Sequence, residues 1–359
     1  SSAQLAANHP VSGGTYEYGY QYLRPFLGFI AGWMFLCAKS ASAATAALGF
    51  AGYLLLTIGV SAWWIVLIAF AIVVAVTLLV YSGLRRSSRV NVFIVSVTVF
   101  TLLLFVVTGV GQIQTANLAF ELDSVNLFHA TALMFVAFTG YGRIATLGEE
   151  VKAPRQTIPR AILTTLVVSM VLYIAVAIVA IGAVGAVPLA AATTDQAAPL
   201  EFAATAFPFG VHRIIAIGAI TAMLGVLLNL VLGLSSVLFA MGRRGDMPAV
   251  TAKLGNSILI VGGLIALLTM LGDVKTAWSF SAFTVLVYYA ITNLAALQLN
   301  RSQRLYPRFF PAAGLIGCLS LAFAIEPHVW LSGLGVMAVG TAWFLIRKRK
   351  RGSEVDGSM

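Results

Sequence analysis

Residues 129–160 read HATALMFVAFTGYGRIATLGEEVKAPRQTIPR, and this stretch decides the fold. Its apolar character ends at Phe138, where the sequence TGYGR follows at residues 139–143. Each glycine costs about 1 kcal/mol relative to alanine in a helix and frees the backbone for other dihedrals. Irregular backbone at membrane depth is tolerated only where protein buries it or where it lines a cavity. We therefore predict a helix broken at Thr139-Gly140, although these residues alone would suit a packing position or a simple kink equally well.

The composition is that of a membrane protein. Of the 359 residues, 60% are hydrophobic and 9% are charged, whereas a soluble domain carries about 25% charged residues. The net charge of +10 would also suit a nucleic-acid-binding protein. However, five of the 22 basic residues form one terminal run at 347–351. We therefore expect membrane lipid, and no nucleic acid, as a partner.

Runs of about 20 apolar residues are needed to cross a bilayer as a helix. The sequence predicts an all-α polytopic membrane protein with about ten such spans: 26–57, 62–82, 91–111, 127–147 (interrupted), 158–187, 210–241, 256–272, 276–298, 309–325 and 328–346. Gly28 and Gly32 in the first span predict a small-residue packing face rather than a binding site. The connection 188–208 lacks Lys and Arg and could hold a short helix over the outer face.

Most Lys and Arg residues fall in loops on one side of these spans, which is typical of the cytoplasmic side. We therefore expect both termini in the cytoplasm and the protein in the cytoplasmic (plasma) membrane. The expected organisation is a cytoplasmic N-terminal segment (1–25), a transmembrane domain (26–346) and a basic, then polar, cytoplasmic tail (347–359). The basic run is first a topological anchor, and lipid binding is its alternative role.

Four motifs carry a family resemblance. The sequence FVAFTGYGRIATLGEEVKAPRQTIPRAI, from Phe135, resembles the sixth-helix signature of the amino acid–polyamine–organocation (APC) superfamily of permeases. PVSGGTYEYGYQYLRPFLGFIAGW, from Pro10, is similar to the stretch joining that family's second and third helices. FAMGRRGDMP, from Phe239, and WSFSAFTVLVYYAITNLAAL, from Trp278, resemble the turn after its eighth helix and its tenth helix. The resemblance covers almost the whole chain.

By this resemblance the spans correspond to helices 3–12 of the leucine-transporter-like fold, which has two inverted five-helix repeats. The resemblance implies secondary active transport of amino acids by alternating access, coupled to protons or operating as exchange. In the family the first and sixth helices are broken, whereas the broken span here is the fourth. We therefore expect the first helix and most of the second to be absent, with residues 1–25 holding the end of helix 2 and its loop. The 359-residue form would then not perform coupled transport alone.

The resemblance also implies a substrate site around the broken span. Its residues would be Val136, Ala137, Phe138, Thr139, Gly140, Tyr141 and Asn229. Backbone carbonyls at 136–139 would bind the α-amino group of an amino acid. Phe138 and Tyr141 would form an aromatic lid, and Asn229 would line the pocket.

Lys39 lies about 13 residues into the first span, roughly 20 Å from its start at 1.5 Å per residue. A charged lysine near the bilayer centre costs at least about 2.5–3.5 kcal/mol on the insertion scale. Such a residue must be neutral, paired or facing a polar cavity. The functional hypothesis is that Lys39 replaces a cation at the site or exchanges a proton during transport. The alternative is a lysine that extends along a tilted helix towards the interface.

Glu149, Glu150, Lys152 and Arg155 form a charge cluster at the inner end of the broken span. This cluster could gate the inner mouth, or it could be an interfacial salt-bridge network worth little per exposed pair.

The sequence contains no motif for catalysis, so we expect neither an enzyme nor a cofactor. HExxH, CxxC and phosphate-binding loops do not occur, and Cys37 and Cys318 lie in apolar runs as small core residues. Two other classes stay open beside a transporter. One is a non-transporting scaffold or fragment of the same fold, and the other is a channel, which a single broken helix favours less. No acidic residue lies within the spans, which disfavours cationic substrates over neutral or acidic ones.

Overall fold

The computed structural model describes residues 1–11, 13–83, 88–119, 123–142, 144, 151–270 and 273–356. Within these ranges the regular structure is entirely helical. The α-helices are α1 (Ser2–Asn8), α2 (Thr15–Tyr22), α3 (Pro25–Ile58), α4 (Ile65–Tyr81), α5 (Ser88–Gly109), α6 (Ser124–Phe135), α7 (Pro154–Val184), α8 (Ala186–Gln196), α9 (Pro199–Ala204), α10 (His212–Arg244), α11 (Leu254–Thr269), α12 (Val274–Leu297), α13 (Phe309–Ala322) and α14 (Pro327–Asp356). A 3-10 helix at Val136–Tyr141 follows α6 directly.

Seven helices in the described part of the chain are long and apolar enough to cross a membrane: α3, α4, α5, α7, α10, α12 and α14. All seven were predicted as spans. The other three predicted spans contain shorter α-helices, with 12 residues in α6, 16 in α11 and 14 in α13. The prediction of an all-α polytopic membrane protein is therefore confirmed, while the described ranges show fewer full-length spans than the ten expected.

The centre of the bundle is formed by α3 and α12. About two thirds of the most apolar stretch of α3 is buried (67%), and 78% of that of α12, compared with 11% for α5. α3 packs against α12 and α10. Its alanines at 43, 44 and 47 are fully buried, and such small side chains let neighbouring helices approach closely. Large apolar side chains on α5, such as Phe93 and Val107, are exposed where lipid would surround them.

The predicted small-residue face on α3 is present. A Cβ atom added to Gly28 would lie 2.4 Å from the ring of Tyr20 and 2.8 Å from the Tyr20 backbone nitrogen. A Cβ atom on Gly32 would lie 2.7 Å from the Tyr16 ring. The two glycines therefore allow α2 to pack directly on α3.

The chain outside the membrane-length helices is also packed. α1 contacts α7 and α12, and its Leu5 and Ala6 are fully buried. Between α7 and α10, the connection predicted to hold a short helix contains two, α8 and α9. At the other end of the chain, α14 includes the basic residues 347–351.

Candidate functional site

The interrupted helix differs from the prediction in where its winding changes. α6 is capped at its start by Asp123, whose side chain accepts a hydrogen bond from the Val125 nitrogen. Its α-helical winding ends at Phe135, four residues before Thr139, and the tighter 3-10 winding of 136–141 follows. Thr139-Gly140 therefore lies inside the altered segment rather than at its start. Arg143 and residues 145–150 lie outside the described residues.

Three side chains from other helices, and one from the segment itself, donate hydrogen bonds to carbonyls of α6 and of the 3-10 segment. The donor and acceptor pairs are Trp278 Nε1 to Leu133 O at 2.9 Å, Tyr173 Oη to Ala137 O at 3.3 Å, Tyr289 Oη to Thr139 O at 3.4 Å, and Thr139 Oγ1 to Val136 O at 2.7 Å. These donors come from α7, α12 and the segment itself. Since an α-helix uses its carbonyls internally, such external partners favour a change in winding.

The side chain of Lys39 on α3 contacts the 3-10 helix Val136–Tyr141, which we call the interrupted segment. Its Nζ donates to Thr139 Oγ1 at 2.7 Å, while that hydroxyl donates onward to Val136 O. Thr139 is buried, with 4% of its surface exposed. Among the described residues no carboxylate lies within ion-pair distance of Lys39. The structure therefore brings together two residues that the sequence assigned separately to the pocket and to coupling.

Aromatic rings surround the same segment. Phe138 packs edge-on against Tyr173 of α7, with ring centroids 5.3 Å apart. Tyr141 packs against Tyr289 of α12 at 5.8 Å. The sequence analysis did not single out Tyr173 or Tyr289, although adjacent tyrosines at 288–289 inside an apolar run were a visible signal. Both proposed lid residues thus contact rings from other helices.

Gly140 leaves one face of the segment open. It is exposed, and a Cβ atom added to it would meet no other atom within 4 Å. A small ligand could therefore approach the backbone here without displacing a side chain.

Asn229 on α10 is not joined to this cluster. Its Nδ2 donates to Gly225 O at 2.8 Å, within its own helix. Its Oδ1 is buried and has no hydrogen-bond partner among the described residues. No hydrogen bond in the described chain connects Asn229 to Lys39 or to 136–141, so its place in the pocket stays a prediction.

The predicted inner charge cluster is described only in part, because Glu149 and Glu150 lie outside the described residues. Lys152 and Arg155 are exposed. Arg155 Nη2 donates to the Ser302 carbonyl at 2.8 Å and so ties the start of α7 to the loop after α12. This contact fits a bracing role as well as a gating role.

A buried carboxylate outside the spans was missed by the sequence analysis. Glu201 on α9 is 2% exposed, and Thr57 Oγ1 lies 3.1 and 3.3 Å from its two carboxylate oxygens. Nearby, the Leu200 nitrogen donates to Tyr53 Oη at 3.3 Å. These contacts join α9 to the end of α3. Burial raises the pKa of Glu201 to about 7, and the hydrogen bond from Thr57 acts in the opposite direction.

The raised pKa of Glu201 predicts a pH-dependent stability. Between its ordinary pKa of 4.5 and about 7, the folded protein holds a proton at this site that the unfolded chain has lost. Stability therefore falls as the pH rises through this window. We expect Glu201→Gln to flatten the fall in melting temperature between pH 4.5 and 8 and to be the more stable form at pH 8. Thermal unfolding in detergent at a series of pH values measures this, and superimposable profiles for the two proteins would contradict it.

Comparisons with known proteins agree with a bundle of membrane-length helices that includes an interrupted one. The family model for amino acid permeases matches residues 1–346. An uncharacterized transporter of Mycobacterium tuberculosis is 40% identical, over 97% of this chain and 80% of that protein. A branched-chain amino acid permease of Bacillus subtilis is 27% identical, over 90% of this chain and 76% of the permease. A methylthioribose transporter of Bacillus subtilis is also 27% identical, over 97% of this chain and 82% of the transporter.

The family match spans nearly the whole chain, and the structure shows a bundle of membrane-length helices with an interrupted helix packed against α12. These are the features of an integral membrane transporter of a small molecule, not of an enzyme. The chain belongs to the amino acid permease family of the APC superfamily.

Proposed function

We propose that this protein is a secondary active transporter of amino acids that works by alternating access. The observation that carries the proposal is the 2.7 Å hydrogen bond from Lys39 Nζ to Thr139 Oγ1. It joins the central helix α3 to an interrupted segment whose backbone is open at Gly140. Interrupted helices of this kind bind substrates in transporters because their ends expose polar backbone groups at membrane depth.

In this proposal the substrate lies against the 3-10 segment. Carbonyls at 136–139 accept hydrogen bonds from its α-amino group, beside the open face of Gly140. Phe138 and Tyr141 close over it, and Asn229 Oδ1, which is buried without a partner among the described residues, supplies a further acceptor. The predicted spans then correspond to helices 3–12 of the leucine-transporter-like fold, with both termini in the cytoplasm.

The charge of the site favours a neutral or acidic amino acid. Lys39 contributes a positive charge near the segment, and no described carboxylate pairs with it. A cationic substrate would be repelled, because like charges close together in a low-dielectric site cost free energy. The similarity to a branched-chain amino acid permease supports a neutral substrate.

We assign to Lys39 the step that couples substrate movement to a proton or to a second substrate. When protonated, its amine donates to Thr139 and holds α3 against the interrupted segment. Loss of the proton, or replacement of the amine by a substrate group, would weaken that contact and let the two elements separate. Proton symport and exchange both fit this step.

Counterflow in proteoliposomes tests the proposal. The protein, expressed from its complete reading frame, is reconstituted into vesicles loaded with unlabelled leucine, glutamate or arginine, and entry of the same radiolabelled amino acid is followed. We expect saturable accumulation with leucine or glutamate and none with arginine. No accumulation of any of them would favour a scaffold, and a non-saturating current under voltage clamp would favour a channel.

A further inference from the structure

A cavity lies at the end of the bundle where basic residues from α3, α10 and α14 come together. Its volume is about 530 Å³, and it opens between the start of α3, the end of α10 and residues 344–348 of α14. We call it the basic pocket; its lining residues include Arg24, Phe26, Arg244, Asp246, Arg347 and Lys348. Four cationic side chains line the pocket with the carboxylate of Asp246, and Arg244 also pairs with Glu17, which leaves a net surplus of two positive charges.

The carboxylate of Asp246 is held in the wall of the pocket by hydrogen bonds from neighbouring side chains. Asp246 is 5% exposed, and its Oδ2 accepts hydrogen bonds from the hydroxyls of Tyr16 and Tyr20 at 2.7 and 2.6 Å. The backbone oxygen of Asp246 accepts a hydrogen bond from Trp343 Nε1 at 2.9 Å. These bonds fix the wall of the pocket before any ligand arrives.

Two of the arginines are held in place by contacts with neighbouring residues. Arg244 pairs with Glu17 at 2.8 Å and stacks over the ring of Tyr20 at 4.3 Å. Arg347 donates through Nη2 to the Met247 carbonyl. Its Nε is buried and has no hydrogen-bond partner among the described residues. A buried donor on a charged group is costly to leave unpaired, and Arg347 is one of the residues that line the pocket.

The surroundings of the basic pocket are those of a membrane interface. It lies at the ends of three membrane-length helices, and Phe26 at its rim is 37% exposed. Beside Phe344 on α14, Leu345 and Ile346 are each 53% exposed and continue an apolar surface away from the pocket. Aromatic and basic side chains together are typical of the headgroup level, and an apolar strip beside them suits an acyl chain.

We infer that the basic pocket binds the phosphate of an anionic phospholipid, with the acyl chains lying along the exposed face of α14. Arg24, Arg347 and Lys348 contact the phosphate oxygens, and Arg347 Nε gains its missing acceptor. This inference does not depend on which substrate the protein transports. It gives the basic run 347–351 a part in a specific lipid-binding site, in addition to its expected role as a topological anchor.

The test uses purified protein in neutral detergent with added phosphatidylglycerol or phosphatidylcholine, read by native mass spectrometry and by melting temperature. We expect phosphatidylglycerol to remain bound and to raise the melting temperature, and phosphatidylcholine to do neither. The variant Arg24→Gln/Lys348→Gln removes two of the four charges without touching the bracing residue Arg347. It should bind phosphatidylglycerol about thirtyfold more weakly, from about 1 kcal/mol for each basic residue near a charged headgroup.

The matched control is Arg301→Gln/Arg308→Gln, which removes two exposed charges away from the pocket. It should bind phosphatidylglycerol as the wild type does. Equal loss in both double variants, or no loss in the pocket variant, would overturn the site. If inorganic phosphate at millimolar concentration displaced the lipid or stabilised the protein equally well, the pocket would be a site for soluble phosphate and the lipid assignment would be wrong. If the pocket variant does not fold, competition between the two lipids for the wild-type protein decides the outcome.

Discussion

Replacing Lys39 with methionine is expected to lower amino-acid counterflow at least about tenfold and to remove its pH dependence. Hydrogen bonds to charged groups contribute about 1.5–3 kcal/mol. Lys39 makes such a bond with its charged amine, and the bond joins α3 to Thr139 of the interrupted segment. Methionine keeps the length and apolar volume of the side chain but cannot donate or titrate. The initial rate of counterflow at several pH values measures both effects.

Two further variants test the contact between Lys39 and Thr139. Lys39→Arg keeps a positive charge that does not titrate in the accessible range, so transport should persist with a flat pH profile. Thr139→Val removes the acceptor, and combining it with Lys39→Met should add little to either single change, since both break one contact. A Lys39→Met protein with wild-type transport and pH dependence would refute the role of Lys39 in coupling.

The largest expected loss of stability comes from Gly28→Leu. A Cβ atom at residue 28 would lie 2.8 Å from the backbone nitrogen of Tyr20, and a backbone atom cannot rotate away. Relief requires α2 to move off α3, and that movement also strains the Tyr20 bond to Asp246. Overpacking in a core costs about 1–3 kcal/mol or more, so we expect a clear drop in melting temperature and in the yield of monodisperse protein.

The matched control for this variant is Gly263→Leu on α11. Gly263 is also a glycine in an apolar helix, but a Cβ atom there meets nothing within 4 Å. It should leave the melting temperature almost unchanged. If both variants melted at the same temperature, close packing of α2 on α3 would not be a source of stability.

Much of the fold was predictable because hydrophobic length is a local property of the chain. The sequence predicted spans at 26–57 and 276–298, and α3 and α12 occupy Pro25–Ile58 and Val274–Leu297. The small-residue face at Gly28 and Gly32 was also predictable, since close approach of helices leaves glycine few substitutes. The change of winding was placed too late in the chain because the hydrogen bonds that favour it come from Tyr173 and Tyr289, which are distant in sequence.

The contacts that build the sites could not be predicted from one sequence. Lys39 was identified by the cost of a charge in a span, but its partner Thr139 is 100 residues away. Glu201 carries no local signal beyond apolar neighbours, and its burial follows from the packing of α9 on α3. The basic pocket likewise forms only where Arg24 and Arg347 meet at the ends of different helices.

Substrate protection of a cysteine at position 140 tests the central claim most directly. The open space around Gly140 admits the new side chain, and Cys37→Ala/Cys318→Ala removes the two native thiols. The control is Gly111→Cys, which also has open space but lies outside the interrupted segment. We predict that a transported amino acid slows methanethiosulfonate labelling of Gly140→Cys in a saturable manner and leaves Gly111→Cys unaffected. Equal labelling rates at position 140 with and without a saturating transported substrate would contradict a binding site at the interrupted helix.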